Sequence, residues 1–228
     1  MTRQTADVNA DTAVRTTRDA VLRAVSAPTV PHMVRAYYDP DGTFAGLTFD
    51  TVGNNPADRF STDDALAISL LDTALTPKAV RDLTEARADE FAELLALVPD
   101  PTVVLWEATD AHLDAANSLW RWLCDTINGV GPTRAGKILA RKRPALIPIA
   151  DEVTLRLFKA PSNGLWVTLR AVLADTEVRH TVEALRGDLP ETVTTLRLLD
   201  TALWMTGSGS EAARTVRALA QAAVHTGD

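Results

Sequence analysis

The chain has 228 residues, 46% of them hydrophobic and 23% charged, with a formal net charge of −7. That mix suits an independently folding core, argues against long disordered stretches, and opposes indiscriminate adhesion to DNA unless basic residues are gathered locally. The single cysteine, Cys124, excludes an internal disulfide, a four-cysteine zinc site and a cubane cluster.

In chain order, residues 1–29 read as a polar segment followed by a helix. Ala13, Val14, Ala20, Val21, Ala24 and Val25 form the helix's apolar face, and Pro28 and Pro31 end it. Arg3, Asp7, Asp11, Arg15, Arg18, Asp19 and Arg23 interrupt this region, so neither a secretory leader nor a membrane span is expected there. No later stretch reaches spanning length, and the expected location is cytoplasmic with no membrane partner.

Val34, Tyr37 and Tyr38, then Phe44, Leu47 and Phe49, flank Asp39-Pro40-Asp41-Gly42. This predicts a small N-terminal β-hairpin over 34–49 closed by a Pro/Gly turn. From Ser61 onward the pattern is helical. Ser61 or Thr62 caps the run, with Asp64 placed as in a capping box, and Pro77 opens the next helix. Leu83, Phe91, Leu94, Leu95 and Leu97 mark further turns, as do Leu113, Ala116, Leu119, Trp120 and Leu123. Later helices are expected at about 152–159, 162–174, 177–186, 190–206 and 210–225, bounded by Pro161, Gly187, Pro190 and Gly207-Ser208-Gly209. With no linker or repeat evident, the expected fold is mainly α. It is a single helical domain over 30–206, preceded by 1–29 and followed by a C-terminal helix over 207–228.

Chemistry concentrates in one stretch. Residues 121–159 hold Arg121, Arg134, Lys137, Arg141, Lys142, Arg143, Arg156 and Lys159 against Asp125, Asp151 and Glu152, a surplus of five positive charges that leaves the remainder at −12. Inside it, Cys124 and Ile127 precede Gly129-Val130-Gly131, with Ala135, Ile138 and Leu139 following. The spacing predicts a helix-hairpin-helix at about 118–141. The two glycines allow special backbone angles and close approach, Val130 fastens the turn to the core, and Ala135 leaves room for tight helix packing. Pro132 suits a first helical turn, whose N–H groups and positive dipole end receive a phosphate. Arg134 and Lys137 supplement that grip, whereas Arg141-Lys142-Arg143 alone reads equally as a solvated helix end.

On these residues the chain resembles the helix-hairpin-helix superfamily of DNA glycosylases, and as a whole it is similar to an uncharacterised actinobacterial family. Asp151 lies twenty residues after Gly131, behind Pro148-Ile149, and Arg156 occupies the arginine place of a hydrophobic-Asp-x-x-hydrophobic-x-Arg pattern. The resemblance covers about 110–160, with a weak continuation into "LDTALWMTG". It implies a glycosylase-like helical domain, binding to double-stranded DNA in DNA repair, and a catalytic Asp151 stabilising positive charge on the deoxyribose or directing a water. The implied backbone-binding set is Gly129, Val130, Gly131, Thr133, Arg134, Lys137, Arg141, Lys142 and Arg143. Thr133 stands where bifunctional relatives carry a Schiff-base lysine, so the resemblance points to a monofunctional enzyme. Hairpin carbonyls hold a monovalent cation in related proteins; no other cofactor is expected.

Two alternatives stand beside this reading. Asp151 also suits a helix N-cap, and the same fold can serve as a non-catalytic protein-interaction module. The five tryptophans read as core. His32, His112, His180 and His225 are too scattered for a metal site, and no P-loop or dinucleotide fingerprint is present.

Overall fold

The computed structural model describes residues 3–158 and 164–226; Lys159 and Pro161 lie outside the described residues. The chain divides into two compact units, one formed by residues 1–44 and 150–228, the other by 45–149.

The first unit contains α1 (Arg3–Val25), α2 (Val30–Tyr37), α8 (Glu152–Phe158), α9 (Leu165–Ala174), α10 (Thr176–Glu183), α11 (Thr195–Gly207) and α12 (Glu211–Thr226). Helix α1 begins inside the polar segment, well before the apolar periodicity starts. Helix α11 is the axis of this unit. Leu196, Leu198, Leu199, Ala202, Leu203 and Met205 are buried on all sides of it, and α1, α2, α8, α10 and α12 pack around it. At its end Gly207 lets α8 approach: a Cβ there would stand 2.7 Å from Leu157 Cδ1 and 2.8 Å from Val153 Cγ1. Arg217 of α12 then donates to the terminal carbonyls Met205 O (2.6 Å) and Ser208 O (2.8 Å).

Arg18 of α1 pairs with Asp175, the N-cap of α10, at 2.7 Å and with Glu177 at 2.6 Å. The Arg18 hydrogen bond, then the backbone N–H of Glu177, hold the Asp175 carboxyl below its ordinary value of 3.8. With the folded-state pKa depressed, this contribution is complete above the ordinary carboxylate value and is lost as pH falls through the depressed one. The gap in urea midpoint between wild type and Asp175→Asn, which retains a cap acceptor, should hold steady from neutral pH down to the carboxylate range and close below it. A gap unchanged in acid would disprove the linkage.

The second unit contains α3 (Thr62–Ser69), α4 (Pro77–Arg81), a π-type turn (Asp82–Ala86), α5 (Ala88–Leu97), α6 (Asp110–Thr126) and α7 (Pro132–Lys142). Helix α6 packs on α5 and α7, and α7 on α3, around Ile68, Leu83, Phe91, Leu95, Leu105, Leu119, Leu123, Ile138 and Leu139. The caps follow the sequence signals. Ser61 and Asp64 form a capping box on α3, and Thr76 accepts from Ala79 N (3.1 Å) ahead of Pro77.

The mainly α class holds, but the N-terminal β-hairpin does not form: no strand occurs among the described residues. Residues 30–37 are helical because Val30, Met33, Val34 and Tyr37 fall at i, i+3, i+4 and i+7, with Pro31 in the first turn. Val30, Met33 and Val34 are thereby buried on one face. The Asp39–Gly42 turn is present, with Gly42 N donating to Asp39 O at 2.9 Å and Asp41 N to Asp39 Oδ1 at 3.0 Å. It connects α2 to a short 3₁₀ turn at Ala45–Thr48 rather than two strands.

Candidate functional site

The hairpin between α6 and α7 is built from four residues. Helix α6 starts at the Thr109 cap, buries Leu113, Ala116, Leu119 and Leu123, and ends where Ile127 leaves helical geometry. Val130 N donates back to Ile127 O at 3.0 Å, closing the turn, and the Val130 side chain is buried. Gly129 has φ +86°, a left-handed conformation that an L side chain resists, and its Cβ would lie 3.1 Å from Thr76 Cγ2. The fold therefore requires glycine at 129.

Gly131 is different. Its φ of −93° suits any residue, and a Cβ there would meet nothing within 4 Å. Glycine at this N-cap instead leaves uncovered the start of α7, where Ala135 N to Gly131 O (3.0 Å) is the first helical bond and the N–H groups of Thr133 and Arg134 precede it. Gly131, Pro132, Thr133 and Arg134 line an open hollow of about 320 Å³ together with Asp72, Thr73 and Ala74. Trp120 braces the turn through Nε1 to Pro132 O at 3.3 Å. The Arg134 guanidinium donates to Gly129 O and Ala74 O, each at 2.9 Å, and so fixes the hairpin to the 72–74 loop.

The other cations of α7 turn inward. Lys137 is buried and donates to Leu71 O and Thr73 Oγ1, each at 2.7 Å. Arg141 has no exposed surface; it donates to Phe49 O, to Val52 O at 2.7 Å and to Asp64 Oδ1 at 3.3 Å. Lys142 meets Asp64 Oδ2 at 2.5 Å, Asn55 Oδ1 at 3.0 Å and Pro56 O at 3.1 Å. Arg143 donates to Pro99 O at 2.5 Å, Ala57 O at 3.0 Å and Leu95 O at 3.1 Å. Burial pushes the Lys142 ammonium below its ordinary value, against the opposing pull of Asp64, and burial also lowers Arg143. Arg141-Lys142-Arg143 is thus not a solvated helix end. It ties the turns at 49–57 and 95–99 to α7 by supplying charged donors to carbonyls that no helix or strand satisfies.

Asp151 belongs to the first unit and the hairpin to the second. Asp151 caps α8 reciprocally: Thr154 N donates to Asp151 Oδ1 at 2.8 Å, and Asp151 N to Thr154 Oγ1 at 2.9 Å. The carboxylate remains half-exposed. Arg156, which is exposed, donates to Gly207 O at 3.1 Å and holds α8 to the end of α11. A model of a family of unknown function, DUF6308, matches residues 30–207. The chain belongs to that family. No curated protein and no solved structure matches it. The DUF6308 match spans the hairpin, the hollow and Asp151 alike.

Sequence reasoning missed Asp72, Thr73 and Ala74, which follow α3 in an ordinary polar loop with no spacing signal. The tryptophans are half-buried rather than core: Trp122 Nε1 donates to Glu90 Oε1 at 2.6 Å, and Trp204 meets Tyr37 and Phe44 edge-on. His112 serves the α6 cap, accepting from Thr109 N at 3.3 Å. Among the described residues no group of His, Cys, Asp and Glu could hold a metal ion, and no helix is long and apolar enough to cross a membrane.

Proposed function

We propose that this chain binds the sugar-phosphate backbone of double-stranded DNA through the hairpin and the first turn of α7, as a monofunctional glycosylase-like or damage-recognition protein. The observation that carries this reading is Gly131, a glycine that neither its backbone angle nor its neighbours require. Its absent side chain gives an oxyanion access to the N–H groups of Thr133 and Arg134 at the positive end of the helix. Gly129 and Val130 shape and anchor the turn, and Arg134 adds a guanidinium beside it. Lys137, Arg141, Lys142 and Arg143 act indirectly, by holding the supporting loops. Asp151 supplies the carboxylate that stabilises positive charge on the deoxyribose while water replaces the departing base.

The test is fluorescence anisotropy of a labelled duplex carrying an abasic-site analogue, measured at low and moderate salt. Wild type should bind in a salt-sensitive manner, and Gly131→Glu, a substitution the open space accommodates, should fold normally and lose binding. Binding unaffected by Gly131→Glu would remove the hairpin from the interface.

One observation favours a second reading. Burial takes four of the eight basic residues of 121–159 away from the surface of a chain whose net charge is already −7. An acidic surface of this kind suits a module that meets a basic protein partner, and such a module shows no phosphate-dependent binding in the same experiment.

A further inference from the structure

Asp72 is the one residue outside glycine with a positive φ among the described residues, at +55°. A non-glycine residue in this region is strained and persists only where its surroundings over-determine it, most often at functional sites. Here the surroundings do so. Lys137 Nζ donates to Leu71 O and to Thr73 Oγ1, one residue to either side, and Arg134 Nε donates to Ala74 O. Two cations of α7 thus hold the loop that carries Asp72. The Asp72 side chain is exposed and lines the hollow opposite Gly131, Thr133 and Arg134. It makes no ion pair or hydrogen bond among the described residues, so its negative charge is not spent on a neighbour.

We infer that Asp72 is a specificity-determining carboxylate that opposes phosphate in this hollow. The inference rests on the proposed backbone contact at the hairpin and concerns its selectivity. The same hollow offers donors on one wall and a fixed negative charge on the other. A polyanion entering it meets repulsion along with the helix N–H groups. Indiscriminate binding to undamaged duplex is thereby weakened, and binding depends on additional contacts that only the correct partner makes. Fixing the loop through Lys137 and Arg134 keeps the acid from swinging away when the ligand arrives.

The experiment compares wild type, Asp72→Asn and Asp72→Gly by anisotropy with an undamaged labelled duplex and with one carrying an abasic-site analogue, at low and moderate salt. Asparagine and glycine both tolerate a positive φ, and melting curves will show both variants folded. Both should bind the undamaged duplex about threefold to tenfold more tightly than wild type at low salt, as expected for one like charge at contact range in water. The gain should shrink as salt rises, which a purely structural effect would not do. Preference for the abasic duplex should fall. Binding by the variants alone also supports the inference. Wild-type binding that is unchanged or weakened by both substitutions overturns the role of Asp72 while leaving the hairpin contact standing. Failure of all three proteins to bind either duplex overturns both.

Discussion

Replacing Asp64 by asparagine should lower the unfolding free energy by about 3–5 kcal/mol, the range for removing one partner of a buried charge pair. The Asp64 side chain is fully buried and lies 3.3 Å from Arg141 Nε and 2.5 Å from Lys142 Nζ. It also accepts from Ser61 N at 2.7 Å and from Ser61 Oγ at 3.0 Å in the α3 capping box. Asparagine preserves the volume and one acceptor. It removes the only carboxylate that pairs with these two cations among the described residues, and its amide N–H groups then point at like charge. The carbonyls of Phe49, Val52 and Pro56 still solvate the cations in part, so a partly stable fold should remain rather than complete unfolding. Urea denaturation at neutral pH measures the change directly. Combining Asp64→Asn with Lys142→Met should recover part of the loss, because the stranded ammonium is then gone. A single variant within about 1 kcal/mol of wild type would contradict the account of α7 as a charged clamp, since the figure for an ordinary neutral hydrogen bond is of that size.

That clamp explains why the direction of the basic residues was illegible in the sequence. Lys-Arg clusters at a helix end usually point to water, where the dipole favours them. Nothing within 134–143 distinguishes that case from this one. The difference lies in turns at 49–57 and 95–99, remote in sequence, whose carbonyls have no secondary-structure partner and draw the cations inward. Local signals read well by contrast. The Ser61–Asp64 box, Thr76-Pro77 and the Gly129-Val130-Gly131 turn each depend on residues within one helical turn, and each forms as its residue types dictate. Helix α2 was misread for an intermediate reason. Val34, Tyr37 and Tyr38 have strand propensity, but the buried stripe Val30, Met33, Val34 has helical spacing, and burial of that face prevails over intrinsic preference. The sites differ in the same way. The glycines are visible because they are rare and spaced, whereas Asp72 gains its meaning only from the left-handed backbone and from the two cations that hold its loop.

The largest effect on activity should come from Asp151→Asn, because this substitution separates the two roles its carboxylate can play. As a cap, Asp151 uses Oδ1 to accept from Thr154 N, and asparagine caps a helix about as well as aspartate. Stability should therefore stay within about 0.5 kcal/mol of wild type, the range for substitutions that retain their interaction. Asp151→Ala, which deletes the acceptor, should cost about 1 kcal/mol. Catalysis by contrast depends on charge. An amide oxygen cannot neutralise a sugar carrying developing positive charge, nor take a proton from water, so base excision should fall by at least about 10²-fold, the usual effect of deleting one electrostatic stabiliser of a transition state. Binding of the abasic duplex should remain, because that contact is assigned to the hairpin. Single-turnover assays on duplexes carrying different damaged bases read the first quantity, and anisotropy reads the second. Excision that persists undiminished in Asp151→Asn would reduce Asp151 to the cap of α8. Excision lost with stability and binding intact would give the residue both roles, with the cap holding the carboxylate's first oxygen and leaving the second for the sugar.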